Sequence, residues 1–229
     1  MRIVITGAGR GIGLELTRQY LARGDAVDAA VRDPARATEL QALRAGSAGV
    51  LRVQALDVRS DASVASYAEA LPPGPVDLLI NNAGVMGELS GLEGLDFDDV
   101  RETFEVNAIG PLRLVRALLP RLRDSGVRKI AHITSKMGSI DDNTSGGAYG
   151  YRMSKAALNM ASRSLSIDLG RDGIMSVVLN PGWVQTDMGG RGAPTPVEAS
   201  VEGLIAQIDA LTPDRSGRFF DFRGAEVPW

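Results

Sequence analysis

The sequence predicts an α/β protein built on a mostly parallel, doubly wound sheet. Three observations carry that expectation. Short β-branched runs alternate with segments of helical periodicity, the connections between them are short, and a glycine cluster follows the first run. A chain of 229 residues with 44% hydrophobic and 23% charged content can bury a sizeable core, which excludes a disordered protein.

Taken in order, residues 2–6 form a β-branched run whose place suggests a central strand. From Ile12 onward Leu14, Leu16, Tyr20 and Leu21 recur at helical spacing up to Gly24. Residues 26–31 read as strand, 34–45 as helix, 50–56 as strand and 62–71 as a helix stopped by Pro72 and Pro73. Residues 76–80 form the next strand. Helical segments 97–107 and 112–123 follow, separated by Gly110 and Pro111, which should bend or break the path. Residues 129–134 are strand, 141–147 a polar, glycine-rich loop, and 149–171 one long helix closed by Gly173. A strand at 174–179, a helix at 196–211 and a short strand at 218–222 complete a single domain, 1–229, of about seven strands. There is no internal repeat and no low-complexity tail.

Composition narrows the function classes. With 25 Lys plus Arg against 28 Asp plus Glu, the net charge of -3 lacks the basic footprint of a nucleic-acid binder. The chain has no cysteine, which removes disulfides and thiolate chemistry. Its one histidine, His132, leaves no imidazole cluster for a metal and no histidine-based triad, and is expected in the core. No apolar run reaches the roughly 18 residues that span a bilayer. Glycines arriving at residue 7 leave no room for a signal peptide. The expectation is a cytoplasmic protein with no metal, nucleic acid or membrane partner.

Thr6-Gly7-Ala8-Gly9-Arg10-Gly11-Ile12-Gly13 lies between the first strand and the first helix, where doubly wound folds hold a pyrophosphate. Glycines permit the tight turn and let backbone N–H groups and the helix N-terminus approach the phosphates. The spacing of Gly7, Gly11 and Gly13 departs from GxGxxG and resembles TGxxxGxG, the fingerprint of short-chain dehydrogenases/reductases. That resemblance implies a Rossmann fold with strand order 3-2-1-4-5-6-7, helices on both faces, and a nicotinamide cofactor. The second strand ends at Val31, where an acidic residue would favour NAD(H); instead Arg32 follows, and Arg10 sits in the glycine loop. Two guanidinium groups suit a 2'-phosphate, so NADP(H) is expected, with NAD(H) possible; abundant arginine or an offset by Asp33 are the competing readings. The resemblance also assigns cofactor contacts to Asp57 and Val58, and to Asn82, Ala83 and Gly84 of the NNAG turn. Asp57 has an alternative role as a cap for the helix beginning near Ser60.

Tyr151 and Lys155 are four residues apart at the start of the long helix and share a face. A phenol is a proton donor whose ordinary pKa near 10 falls beside an ammonium. By resemblance Tyr151 is the acid/base of carbonyl reduction and alcohol oxidation, and Lys155 also holds the nicotinamide ribose. Ser135, after the fifth strand, matches the serine that bonds the substrate oxygen. It lies 16 residues before Tyr151, more than the usual 12 to 14, and Ser139 is the competitor at 12. Asn107, in the NxxG phrase Asn107-Ala108-Ile109-Gly110, matches an asparagine that holds a proton-relay water, and could equally stabilise a kink. Pro181, Gly182, Val184 and Thr186 match the segment that covers the nicotinamide.

The long loop before Tyr151, together with PGWVQTDMGG and the ending SGRFFDFRGAEVPW, resembles the C-factor and sniffer carbonyl reductase group. A short substrate lid is expected around 187–195, with Met86, Met137, Trp183 and Met188 as apolar pocket walls for small or medium aldehydes and ketones. The alternative function is a C-factor-like nucleotide-binding signalling or sensing protein with incidental turnover. Family members usually associate through the helices around 112–123 and 149–171, which implies a homodimer or homotetramer.

Overall fold

The computed structural model describes residues 1–46 and 50–229. The alternation resolves into β1 (Arg2–Thr6), β2 (Ala26–Val31), β3 (Leu51–Ala55), β4 (Leu78–Asn81), β5 (Lys129–Ile133), β6 (Met175–Asn180) and β7 (Phe219–Asp221). They form one parallel sheet in the order β3-β2-β1-β4-β5-β6-β7, as expected. Central strands buried on both faces read as continuous apolar runs: Ile3, Val4 and Ile5 are all fully buried.

Helices α1 (Gly11–Ala22), α2 (Thr38–Gly46) and α7 (Val197–Asp209) cover one face. Leu16, Tyr20, Leu40, Val201, Leu204 and Ile208 pack there against Ile3, Ile5, Leu78 and Ile80. On the other face lie α3 (Asp61–Ala70), α4 (Phe97–Phe104), α5 (Gly110–Arg123) and α6 (Tyr149–Asp168). Tyr67, Leu114, Leu118 and Leu122 pack there against Val4, Leu79 and Ile130.

Three boundaries differ from the expectation for local reasons. The helix expected from residue 34 begins only at Thr38, because Pro34–Arg36 form a 3-10 turn in which Asp33 accepts the Ala35 N–H at 3.0 Å. The long helix ends at Asp168, and a 3-10 turn, Gly170–Asp172, leads to Gly173 at φ 72°. Most informative, Gly110 and Pro111 break nothing. A π turn, Glu105–Ile109, joins α4 directly to α5. Pro111 then falls in the first turn of α5, where a missing N–H costs little, and the widened ladder absorbs the change of register.

Candidate active site

The strand order reverses between β1 and β4, so the loops at their C-terminal ends part and leave a crevice. A cleft of about 940 Å³ opens there, lined by residues following six of the seven strands. Thr6, Gly7, Gly9, Arg10, Gly11, Ile12 and Gly13 form one wall, and Asn82, Ala83 and Gly84 lie opposite. Thr6 binds the two together: its Oγ1 accepts the N–H groups of Asn82 and Ala83, both at 3.0 Å. Asn82 donates Nδ2–H back to the carbonyls of Thr6 and Gly7 at 2.9 and 3.2 Å. Gly13 has no room for a side chain, because a Cβ would lie 2.2 Å from the Gly7 carbonyl oxygen. No side chain caps the N-terminus of α1, and no acidic residue occupies its first turn. Its N–H groups therefore face the cleft with their partial positive charge uncompensated, which suits a phosphate.

At the far end of this cleft Arg10, Arg32 and Arg36 supply positive charge. The Arg32 and Arg36 guanidinium groups make no ion pair or hydrogen bond among the described residues. Asp33 is committed to its turn rather than to Arg32. Arg10 pairs with Asp187 at 3.0 Å across the cleft mouth, and both side chains are about three-quarters exposed. Asp57 does not cap α3; Ser60 does, accepting the Ser63 N–H at 3.2 Å. Asp57 is held instead by Arg59, whose Nη2 lies 2.6 Å from Oδ2 and whose Nη1 reaches Glu102 at 2.6 Å. The Arg59 hydrogen bonds, opposed by partial burial and aided by Arg32, hold the Asp57 carboxyl below its ordinary value. Val58 also lines the cleft. Sequence reasoning missed Arg36 and Arg59. The spacing of Arg36, four residues after Arg32, was a usable signal; the link from Arg59 to Asp57 and Glu102 was not readable locally.

Tyr151 and Lys155, on the first turns of α6, enter the cleft from the side of β5. Lys155 Nζ donates to the Ile133 carbonyl at 2.9 Å and stands 5.8 Å from the Tyr151 ring centroid. Burial brings its ammonium down from 10.5 to about 8. Burial raises the Tyr151 hydroxyl above its ordinary value, and a hydrogen bond with the Ser135 side chain acts against that rise. The expected lowering of Tyr151 is thus absent as the chain stands, because burial outweighs the other effects. Tyr151 is held protonated, as a donor. Ser135 follows β5 and caps the 3-10 turn Lys136–Gly138 by accepting the Met137 N–H at 3.1 Å. Ser139 is buried and its Oγ accepts the Asp142 N–H, and the side-chain hydrogen bond that acts on Tyr151 comes from Ser135. Asn107 lies in the π turn, fully buried. Its side chain exchanges two 2.8 Å hydrogen bonds with the Val85 backbone and donates to Ser154 Oγ at 3.0 Å. It therefore joins the loop after β4 to α6. His132 is buried as expected: Nδ1 accepts from Asn81 Nδ2 at 3.2 Å, and burial, with the Lys155 charge, pushes it down to about 3.

After β6, Pro181, Thr186, Asp187 and Met188 border the cleft, but Gly182 and Val184 do not. Val184 is buried and forms a bridge with Thr195, and Gly182 packs on Phe222. Segment 187–195 is closed on itself by Trp183 Nε1 to the Gly189 carbonyl at 2.7 Å and by Gln185 Nε2 to the Ala193 carbonyl at 3.0 Å. Of the four expected apolar walls only Met188 borders the cleft. Trp183 serves the base of this loop instead. Among the described residues no acidic or histidine cluster could hold a metal, and no helix is long and apolar enough to cross a membrane.

Comparison with known proteins agrees with this geometry. The chain is 56% identical over 164 residues to the Myxococcus xanthus protein "C-signal", covering 72% of this chain and 99% of that one. It is 38% identical over 234 residues to 1-hydroxy-2-glutathionyl-2-methyl-3-butene dehydrogenase of Rhodococcus sp. (strain AD45), with 99% of each chain covered. The NADPH-bound carbonyl reductase from chicken fatty liver superposes with a TM-score of 0.94 at 36% identity, over 100% of this chain and 98% of that one. The carbonyl reductase Sniffer of D. melanogaster gives 0.95 at 31% identity, over 100% and 99%. The family profile described as "short chain dehydrogenase" matches residues 1–195, and the chain belongs to that family.

Proposed function

We propose that the protein is an NADPH-preferring oxidoreductase that reduces small or medium aldehydes and ketones and, in reverse, oxidises the alcohols. The observation that carries this reading is the joint presence of Tyr151, held protonated by burial, and the Ser135 hydroxyl beside it, at the edge of a phosphate-ready cleft. The similarity to a carbonyl reductase solved with NADPH supports the choice of cofactor. The fit of the cleft supports it independently: an uncapped helix N-terminus for the pyrophosphate, and Arg32, Arg36 and Arg10 for a 2'-phosphate.

The bound dinucleotide would supply the hydride chemistry. Tyr151 gives its proton to the carbonyl oxygen as negative charge develops there, and Ser135 hydrogen-bonds the same oxygen. Lys155 places a buried positive charge beneath the ring and would hold the ribose hydroxyls. Asn107 keeps the loop at Val85 against α6, where a water could return a proton to Lys155. Pro181 and Thr186 line the cleft where they would border the nicotinamide, and segment 187–195 would act as a short lid. Met188 offers adaptable apolar surface to the substrate. The exposed side chains of Met153, Met160 and Ile167 along α6 and Leu112 on α5 favour a homodimer; light scattering separates it from a monomer or tetramer. A cytoplasmic location is consistent with dependence on a reduced nicotinamide pool, and fractionation tests it.

The deciding experiment is turnover of a carbonyl panel with NADPH beside a binding titration. Tyr151→Phe is expected to lose at least a hundredfold in kcat while binding NADPH normally. The likeness to C-signal favours a second reading, a nucleotide-binding signalling or sensing protein. Tight NADPH binding with no reduction across the panel would select it.

A further inference from the structure

The serine beside the tyrosine is gripped on both sides by one buried amide. Thr134, immediately before Ser135, donates its Oγ1 hydrogen to Asn159 Oδ1 at 2.7 Å. Gly138, which ends the turn capped by Ser135, accepts Asn159 Nδ2–H at 3.2 Å. Asn159 is 3% exposed, and both bonds are buried. It stands four residues after Lys155 and eight after Tyr151 in α6, on the same helix face. The orientation of the amide is determined. A carbonyl only accepts, so the NH₂ group must face Gly138, which leaves Oδ1 for the Thr134 hydroxyl. Asn159 does not line the cleft. It can act on chemistry there only through the segment it holds.

Ser135 needs such a grip. Its oxygen already accepts the Met137 N–H at 3.1 Å, so one hydroxyl hydrogen remains for Tyr151 or for a substrate oxygen. Where that hydrogen points depends on the position of the Thr134–Gly138 backbone relative to α6. The strand below is tied to the helix by Lys155 on the Ile133 carbonyl, but that bond lies two residues short of the serine. Asn159 alone among the described residues spans the serine with side-chain bonds on both flanks. The helix has another buried bond, Ser162 Oγ to Ser176 Oγ at 2.8 Å, to hold it on the sheet.

We propose that Asn159 is a positioning residue, which fixes the Ser135 hydroxyl against Tyr151 by clamping both ends of the serine's segment to the helix that carries the tyrosine. The proposal rests on the roles given above to Ser135 and Tyr151. Asn159→Leu removes both bonds, and Thr134→Val, nearly the same shape, removes one and serves if the leucine variant folds poorly. Each is measured beside Ser135→Ala, the double variant Ser135→Ala/Asn159→Leu, and Ser162→Ala as a control for lost helix anchoring.

Asn159→Leu is expected to lower kcat roughly tenfold to a hundredfold with little change in the KM for NADPH. It should shift the alkaline limb of carbonyl reduction to higher pH, as is expected of Ser135→Ala, which removes the contact that opposes the rise of Tyr151. In the Ser135→Ala background it should change kcat by less than about twofold. Thr134→Val should act in the same direction, more weakly, and Ser162→Ala should lower the melting temperature without moving the pH limb. The same fractional loss in both backgrounds would overturn the proposal, as would a loss of stability with kcat and the pH limb unmoved. A crystal structure of Asn159→Leu gives a readout independent of turnover. A Ser135 hydroxyl still within hydrogen-bond reach of Tyr151 refutes the clamp, and a displaced one supports it. If Ser135→Ala itself leaves turnover intact, the catalytic reading fails, and the crystal structure still decides the role of Asn159.

Discussion

The guanidinium groups that line the cleft divide into two kinds. Arg32 makes no ion pair among the described residues and faces the cleft, where only its longer-range attraction to Asp57 competes with a ligand for its charge. Arg10 is shared with Asp187 through an exposed contact at 3.0 Å, a pair of the kind that contributes about 0–1 kcal/mol. A 2'-phosphate, bearing nearly two charges, should take Arg10 from Asp187 at small cost. Arg32→Ala is therefore expected to weaken NADPH about tenfold or more and to leave NADH nearly unchanged, since a charged hydrogen bond contributes about 1.5–3 kcal/mol. Asp187→Asn should tighten NADPH by no more than about fivefold, because it removes a weak competitor. Calorimetric titration with both dinucleotides checks the pair. An equal loss for NADH in Arg32→Ala would show that the arginine acts on the fold and not on the 2'-phosphate.

Among the elements, the junction of α4 and α5 was the least legible and bears most directly on the site. Glycine followed by proline ordinarily ends a helix, and nothing local announces the π turn that carries the chain through. The turn forms because Asn107 sends its side chain out to the Val85 backbone and to Ser154, contacts 22 and 47 residues away in sequence. Such partners are invisible to periodicity. By contrast the seven strands, the glycine loop and the Tyr151–Lys155 face were readable, since each depends on residues adjacent or one helical turn apart. The commitments of Asp57 to Arg59 and of Trp183 to the base of segment 187–195 depend on side-chain reach and were not. Gly110 belongs to the same junction. A Cβ there would stand 2.9 Å from both Cβ and Cγ2 of Val58, a cleft-lining residue. Gly110→Ala gains about 1 kcal/mol in helix propensity but overpacks this contact, at a cost of about 1–3 kcal/mol. The expected outcome is a net loss of stability in urea together with weaker cofactor binding through a displaced Val58. A more stable variant with unaltered binding would mean that the two elements part without consequence.

For the whole molecule, the cleft places a charge where the fold would otherwise have none. Lys155 is buried between α6 and the end of β5 with one carbonyl as partner, and its ammonium titrates at about 8 against 10.5 in the open chain. The sign follows from proton counting. Between these two values the unfolded chain binds the proton that the folded chain has released, so stability rises with pH across that window. The penalty for holding the charged lysine is present in full below about pH 8, at about 3 kcal/mol, and is relieved as pH approaches 10.5. Replacing the lysine with an apolar side chain of similar length removes that penalty and gives up one hydrogen bond from a charged donor, worth about 2 kcal/mol. Lys155→Met is accordingly expected to be more stable than the parent by about 1 kcal/mol at pH 7. For a chain of 229 residues this corresponds to a melting temperature higher by roughly 2–4 °C. The advantage should shrink steadily from pH 8 to pH 10.5, while carbonyl turnover is lost throughout. Melting curves across that pH range, set beside kcat, measure both halves of the exchange. A Lys155→Met protein less stable than the parent at pH 7 would show that the Ile133 contact outweighs the cost of burying the charge.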